Sequence, residues 1–193
     1  MLIVLTGKTA SGKDTIKVDL LKRYPSLKLI VTTTSRVPRD GEKDGVDYHF
    51  LTRDQFEKKI KSGDFVEYVE YGGNLYGTQK TQLEQVLNTD SIWRIDPSRA
   101  GEIRKFIERA FPSETGEKLI KKVVVIYISV ADDVVLQRLK KRNLSDTEIE
   151  KRMEDDRKIW SQSKDKYDYI VENVAGKLEE TVNKIIKIIE ANQ

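Results

Sequence analysis

Short apolar runs alternate along the chain with longer segments of helical period. The apolar runs are rich in Val and Ile and predict strands at residues 2–5, 29–33, 91–96, 122–130 and 167–173. Continuous apolar strands separated by helices are typical of a parallel sheet that is covered on both faces. The pattern therefore predicts an α/β fold with a parallel sheet flanked by helices.

The helical segments have recognisable starts. Their spacing predicts helices at residues 13–23, 80–87, 97–111, 132–142, 145–160 and 177–191. Ser145 and Glu148 form a capping box, and Pro97 suits a first helical turn. The Pro-, Ser- and Gly-containing stretch at residues 112–118 predicts a surface loop.

One block interrupts the alternation. Residues 32–78 are rich in Thr, Gly, Tyr and charge. Within it, DYHFLT and DFVEYVEY alternate polar and apolar positions, as half-exposed antiparallel strands do. We interpret this block as a small lobe inserted into the core.

Composition narrows the classes of function. The 193 residues suffice for one domain. The formal net charge of +3 is too small to indicate nucleic-acid binding. No cysteine is present, which fits a reducing, cytoplasmic setting, and a single histidine excludes histidine-based metal clusters. No stretch approaches the roughly 20 apolar residues of a membrane span. We expect neither nucleic acid nor a membrane as a partner.

The segment GKTASGKDT predicts a nucleotide-phosphate site. A buried strand leads in and a helix leads out, so backbone N–H groups and the helix dipole converge on one point. A tight strand-to-helix turn without a ligand is the alternative. The candidate ATP-binding residues are Gly7, Lys8, Thr9, Ala10, Ser11, Gly12, Lys13, Asp14 and Thr15.

Asp14 stands where a phosphate loop usually has a hydroxyl that holds magnesium. An aspartate in the first helical turn is electrostatically favourable and can point outward. Thr15 then becomes the candidate Mg²⁺-side hydroxyl.

A second anion site is predicted within the lobe. Arg36 and Arg39 lie three residues apart, with Tyr48 beyond them, and such donors suit a dianionic phosphate. A solvated charged loop is the alternative interpretation.

This stretch resembles the GMP-binding signature of guanylate kinases, S/T-R-x-x-R-x-x-E-x-x-G-x-D-Y-x-F. The matching residues are Ser35, Arg36, Arg39, Glu42, Gly45, Asp47, Tyr48 and Phe50. The next block, FVEYVEYGGNLYGT, is similar to the family's following motif, and the similarity covers essentially the whole chain. The resemblance implies a P-loop NTPase-type core with an inserted mixed α/β GMP-binding lobe and a helical lid.

The resemblance also implies roles for individual residues. Arg36, Arg39, Tyr48 and Tyr76 would contact the acceptor phosphate, and Glu67 would accept the guanine N1–H and 2-amino hydrogens. Thr32 and Thr78 would face guanine O6. The full implied GMP-binding set is Thr32, Arg36, Arg39, Tyr48, Glu67, Tyr76, Gly77, Thr78 and Asp96. The substrates would be ATP and GMP, with dGMP as a further acceptor and Mg²⁺ as cofactor.

The stretch 136–153 resembles the family's lid. Lys13 and the lid arginines Arg138, Arg142 and Arg152 are the candidate catalytic residues, and Asn173 matches the family's adenine-side position. The predicted division is a core of residues 1–31, 79–137 and 153–193, a GMP-binding lobe of residues 32–78 and a lid of residues 138–152. We expect a monomer or a homodimer.

One position departs from the family's pattern. The strand after the lobe usually ends in D-x-D, but here Arg94 replaces the first acid while Asp96 keeps the second. Arg94 could pair with Asp96, touch the acceptor phosphate or compete for Glu67. We hypothesise that it remodels the acceptor pocket without abolishing transfer. Restoring Asp at position 94 and comparing kcat/KM for GMP and dGMP tests this, and unchanged values contradict it.

Two other functions remain open at this stage. The GKD loop is similar to that of ribose 1,5-bisphosphate phosphokinases. Alternatively, the chain could be a catalytically silent guanylate-kinase-like module that binds phosphopeptides. Lys13 and the lid arginines argue for an enzyme, and the guanine signature argues for GMP.

Overall fold

The computed structural model describes residues 1–142 and 144–193. Its strands are β1 (Leu2–Gly7), β2 (Lys28–Leu29), β3 (Thr33–Thr34), β4 (His49–Phe50), β5 (Phe65–Tyr71), β6 (Asn74–Gln79), β7 (Ser91–Arg94), β8 (Val123–Ser129) and β9 (Tyr169–Glu172). Its α-helices are α1 (Lys13–Arg23), α2 (Arg53–Lys61), α3 (Lys80–Glu84), α4 (Pro97–Gly101), α5 (Ile103–Ala110), α6 (Glu114–Lys121), α7 (Asp132–Lys140), α8 (Asp146–Ser163) and α9 (Leu178–Ala191).

The core sheet has the strand order β2-β7-β1-β8-β9, and every pair is parallel. Strand β1 is buried along its whole length because apolar clusters cover both faces. Leu2 and Val4 pack toward α4, α5 and α6, whereas Ile3 and Leu5 pack toward α1 and α9. The predicted α/β class is confirmed, and the carboxyl ends of β1, β7, β8 and β9 form one common edge.

The second sheet has the order β4-β3-β6-β5 and carries α2. Strands β5 and β6 form the predicted antiparallel pair. The prediction of antiparallel pairing for DYHFLT is wrong, because β4 pairs parallel to β3. The predicted strand at 29–33 is likewise wrong as one element, because the chain leaves the core sheet after β2 and enters the second sheet at β3.

Two predictions about helices also require correction. The predicted helix at 97–111 is two helices, α4 and α5, because Glu102 adopts φ −108° and ψ 7° between them. The predicted loop at 112–118 is largely α6. Gly116 serves packing in α6 and not a turn, since a Cβ there would lie 2.1 Å from the Phe111 carbonyl oxygen.

The two helices that overlap the predicted lid end at slightly different residues from those predicted. Helix α7 ends at Lys140, before Arg142, and α8 continues to Ser163. The predicted capping box of Ser145 and Glu148 is present at the start of α8. Residue 143 of the predicted lid lies outside the described residues.

Candidate active site

The phosphate loop lies at the carboxyl edge of the core sheet, between β1 and α1. Gly12 precedes α1 with φ +87°, and no side chain caps the helix, so its first N–H groups remain available to an anion. Gly7 allows close packing, since a Cβ there would lie 2.3 Å from the Ile128 carbonyl oxygen. The loop therefore has the geometry that the sequence predicts for phosphate binding.

Side chains from three distant elements hold this loop. The Asn173 side-chain amide donates to the Ser11 carbonyl oxygen at 2.7 Å, and Arg138 Nη1 donates to the Ala10 carbonyl oxygen at 2.7 Å. On the remaining side, the Thr9 N–H donates to Asp156 Oδ2 at 2.9 Å. These contacts fix the loop's backbone, which is the part that would meet phosphates.

Asn173 is predicted from the resemblance as an adenine-side residue. In the structure it is buried, and Thr181 Oγ1 donates to its Oδ1 at 3.2 Å while its Nδ2 bonds Ser11. Both ends of the amide are engaged inside the protein. Asn173 therefore holds the phosphate loop in place from inside the protein.

Lys13 begins α1 and points back over the loop, where its Nζ donates to the Lys8 carbonyl oxygen at 3.1 Å. Burial, followed by the charge of Arg94, lowers the pKa of Lys13 to about 8. The neighbouring carboxylates of Asp14, Asp156 and Asp96 oppose this decrease. The Lys13 ammonium is thus partly desolvated.

A cavity of about 740 Å³ joins the loop to the second sheet. The predicted residues that line it are Thr9, Thr32, Arg39, Tyr48, Glu67, Tyr76, Gly77, Asp96 and Arg152. Cavities of this size take small-molecule ligands. The cavity therefore brings together most of the residues predicted to bind GMP, and it reaches the predicted ATP-binding loop at Thr9.

Glu67 is the buried carboxylate of this cavity. Thr78 Oγ1 donates to Glu67 Oε1 at 2.9 Å. Burial raises the pKa of the Glu67 carboxyl to about 7, although the Thr78 hydrogen bond opposes the shift. Gly77 keeps β5 and β6 close at this point, since a Cβ there would lie 2.8 Å from the Glu67 carbonyl oxygen.

Arg36 and Arg39, which are predicted to act together, have different surroundings. Arg36 forms an ion pair with Glu42, in which its Nη2 donates to Oε1 at 2.8 Å and to Oε2 at 2.9 Å. Its guanidinium lies 5.6 Å from the centre of the Tyr48 ring. Arg39 lines the cavity. Arg36 thus lies beside the Tyr48 ring, while Arg39 faces the space that a ligand would fill.

The three lid arginines are also placed differently. Arg138 contacts the loop, Arg152 lines the cavity, and Arg142 is exposed just beyond α7 and outside the cavity. In this conformation only the first two lie at the candidate site.

Arg94 has a partner that the sequence did not indicate. Its Nε lies 3.0 Å from Asp14 Oδ1, across 80 residues of sequence. Asp96 instead accepts from Ser98 N at 2.9 Å. Asp14 is exposed, as predicted. It departs from the usual phosphate loop, and it contacts Arg94, which departs from the family's pattern after the lobe.

The residues present fit a magnesium ion that is held mainly by a nucleotide. Thr15 is exposed on the first turn of α1 and offers a hydroxyl oxygen, a ligand type that Mg²⁺ prefers. In the described part of the chain, no group of three or more His, Cys, Asp or Glu side chains could hold a metal. Mg²⁺ commonly keeps its waters and binds through one or two protein groups plus phosphates, so this donor set is compatible with it.

Several cavity residues were missed by the sequence reasoning, among them Asp156 and Arg99. Asp156 lies one turn after Arg152 on α8, and that spacing of four was the only available signal. Arg99 lines the cavity near Glu67, with its guanidinium 5.5 Å from the Phe106 ring centre. Nothing in its local sequence separates it from the other exposed arginines.

A phosphate loop on the carboxyl edge of a parallel sheet, opening into a polar cavity beneath a second lobe, defines the class of small P-loop kinases. The chain belongs to the guanylate kinase family, since the model of that family, described as guanylate kinase, matches residues 1–192. This confirms the resemblance predicted from the motifs.

Individual relatives support the assignment. The chain is 32% identical over 190 residues to the guanylate kinase of Chlorobium luteolum, covering 97% of this chain and 90% of that protein. It is 32% identical over 191 residues to that of Fusobacterium nucleatum, covering 98% and 95%.

Solved structures share the fold. A crystal structure of guanylate kinase from Anaplasma phagocytophilum has a TM-score of 0.70 at 24% identity, covering all of this chain and 86% of that chain. Shikimate kinase from Acinetobacter baumannii, in complex with shikimate, has a TM-score of 0.52 at 18% identity, covering 100% and 94%. In the part of the chain that the structure describes, no helix is both long and apolar enough to cross a bilayer.

Proposed function

We propose that this protein transfers the γ-phosphoryl group of ATP to GMP, giving ADP and GDP. The observation that carries the proposal is the position of Glu67, a buried carboxylate in a cavity that also reaches the phosphate loop at Thr9. A carboxylate pairs with two donors on guanine but meets an acceptor at N1 of adenine. Unpaired buried groups make such a site reject the wrong base.

The residues divide the work between the two substrates. Backbone N–H groups of the loop and Lys13 bind the β- and γ-phosphates of ATP. Arg39, Tyr48 and Tyr76 bind the phosphate of GMP and direct its oxygen toward the γ-phosphorus. The new P–O bond forms as the bond to the β-phosphate oxygen of ADP breaks, and Arg138 and Arg152 offset the negative charge.

Magnesium bound with ATP would neutralise phosphate charge, with Thr15 as the oxygen donor on the chain. Arg142 reaches the phosphates only when the lid of residues 138–152 closes over the lobe of residues 32–78. Closure also excludes water, which is a competing acceptor.

An ADP-release assay with ATP and Mg²⁺ tests the proposal. The acceptors are GMP, dGMP, IMP, AMP, UMP, CMP and ribose 1,5-bisphosphate, and we expect GMP to give the highest kcat/KM. Glu67→Gln is the matched variant, and we expect it to lose about 100-fold in kcat/KM for GMP, since one guanine donor loses its acceptor.

Other outcomes lead to other functions. Preference for ribose 1,5-bisphosphate contradicts the assignment of the acceptor. If ATP binds but no acceptor supports ADP release, the result favours a binding module without kinase activity.

A further inference from the structure

Arg94 lies between the two halves of the candidate site. It ends β7, the neighbour of β1 in the core sheet, so its side chain starts beside the phosphate loop. It also lines the cavity together with Tyr48 and Glu67. A guanidinium at this place can reach either the donor or the acceptor phosphates.

The bonds of Arg94 are incomplete in the ligand-free protein. Its Nε is 3.0 Å from Asp14 Oδ1, yet this buried nitrogen makes no hydrogen bond within the described residues, because its N–H is not directed at the carboxylate. The only hydrogen bond between the two side chains runs from Nη2 to Asp14 Oδ2 and is long, at 3.4 Å. Buried donors in proteins are nearly always hydrogen-bonded, so this Nε–H can donate to an acceptor that enters the cavity.

The nearby acids do not supply that partner. The Asp96 carboxylate accepts from the backbone and hydroxyl of Ser98, at 2.9 and 2.6 Å. Glu67 accepts from Thr78. Asp14, with a side chain 62% exposed, forms an ion pair of the solvent-screened kind that is easily exchanged.

Lys13 supplies the second observation. The charge of Arg94 is, after burial, the largest cause of the lowered pKa of Lys13. Two cations are therefore close enough to repel each other beside the uncapped N–H groups at the start of α1. An anion bound between them would relieve the repulsion and accept the unused Nε–H.

We propose that Arg94 is a further catalytic arginine of this enzyme, which binds the phosphoryl group in transfer together with Lys13. Asp14 is its positioning residue: it holds the guanidinium at the cavity in the absence of nucleotides and releases it to the phosphates when both substrates are bound. This inference rests on the proposed function.

The test compares Arg94→Met, Asp14→Asn and the double variant with the wild type. We expect Arg94→Met to lower kcat about 100-fold, as loss of one charged donor to the transferring group does, with both KM values within about 3-fold. It should weaken the transition-state complex of MgADP, aluminium fluoride and GMP by a similar factor, measured by calorimetry. The dissociation constants of ATP and of GMP alone should change by less than about 3-fold.

The double variant separates catalysis from simple ion pairing. If Asp14 acts through Arg94, Asp14→Asn lowers kcat modestly in the wild type, by about 5-fold, and has no further effect once Arg94 is Met. Recovery of activity in the double variant would overturn the proposal, because it would make Arg94 only the counter-ion of Asp14. Wild-type activity in Arg94→Met would overturn it as well.

The matched control is the exposed pair of Arg53 and Glu70, with an Nη1–Oε1 distance of 3.1 Å on the second sheet's surface. Arg53→Met with Glu70→Gln should change neither kcat nor the transition-state complex. If the wild type shows no GMP kinase activity, the proposed function fails at that step. If the wild type is active and Arg94→Met is unaffected, only the inference about Arg94 fails.

Discussion

At the scale of single residues, Glu67 connects stability to function. Its pKa is raised to about 7 by burial, so the folded protein holds a proton on this carboxyl at pH values where the unfolded chain has lost it. Stability therefore decreases as the pH rises from about 4.5 to 7, because the ionised carboxylate is buried. The ionised form, which we propose binds guanine, is the form that lowers the stability of the folded protein.

Glu67→Gln tests this conflict. We expect the variant to raise the free energy of unfolding at pH 8 by about 3 kcal/mol, the equivalent of the pKa shift from 4.5 to about 7, and to leave it nearly unchanged at pH 4.5. Urea titrations at the two pH values measure it. Glu70→Gln, on the same strand but exposed, is the control. An equal effect at both pH values would show that side-chain packing, and not charge, is responsible.

At the scale of elements, α8 links the lid to the phosphate loop through one buried acid. Asp156 accepts from the Thr9 N–H, and burial raises the pKa of its carboxyl above the ordinary value. A phosphate that approaches this N–H meets a negative charge already in place. If an ATP phosphate binds this N–H, we expect it to displace the carboxylate or to shift α8, and Arg152, one turn earlier, would move with it.

Asp156→Asn removes that charge but keeps an acceptor for Thr9. We expect ATP to bind about 5-fold more tightly, with a smaller effect on ADP and none on AMP, because the repulsion involves the terminal phosphate. Calorimetry of the three nucleotides measures it. Asp155→Asn is the matched control, since Asp155 lines the same cavity but is exposed and makes no hydrogen bond to the loop in the described residues. Weaker ATP binding by the Asp156 variant would contradict this account.

Local sequence predicted the elements that have clear periodicity and failed where long-range packing decides. Strand β1 and the phosphate loop could be predicted, because an apolar run, two glycines and a lysine occur within one short segment. Helix α6 was not, because Gly116 indicates a turn locally while its real role is contact with the Phe111 backbone. The pairing of β4 with β3 also depends on where the chain returns, which no local pattern contains.

The site shows the same division. Arg39 and Tyr48 belong to one local motif and Glu67 to the next, and all three line one cavity, as predicted. The ion pair of Asp14 and Arg94 joins residues 80 positions apart and was not predicted. The partner of Arg94 depends on the parallel register of β7 with β1, which no local pattern contains.

At the scale of the whole molecule, the position of Arg142 implies movement. It is exposed and lies outside the cavity, whereas Arg138 already contacts the loop and Arg152 lines the cavity. If all three stabilise the transfer, Arg142 must approach the lobe when both nucleotides are bound. Arg142→Met should then lower kcat about 10- to 100-fold and leave the binding of each single nucleotide unchanged.

The chain contains no cysteine, so closure can be followed with two introduced thiols and no background labelling. Asp54→Cys in the lobe and Glu150→Cys in α8 are both at exposed positions. We expect energy transfer between dyes at these sites to rise when GMP and a non-hydrolysable ATP analogue are added together, and to rise less with either alone. A control pair at Lys22 and Glu190, both exposed on core helices, should not respond. In the Arg142→Met background the full rise should shrink, because the lid then lacks the charge that draws it to the phosphates; an undiminished rise would show that Arg142 does not contribute to closure.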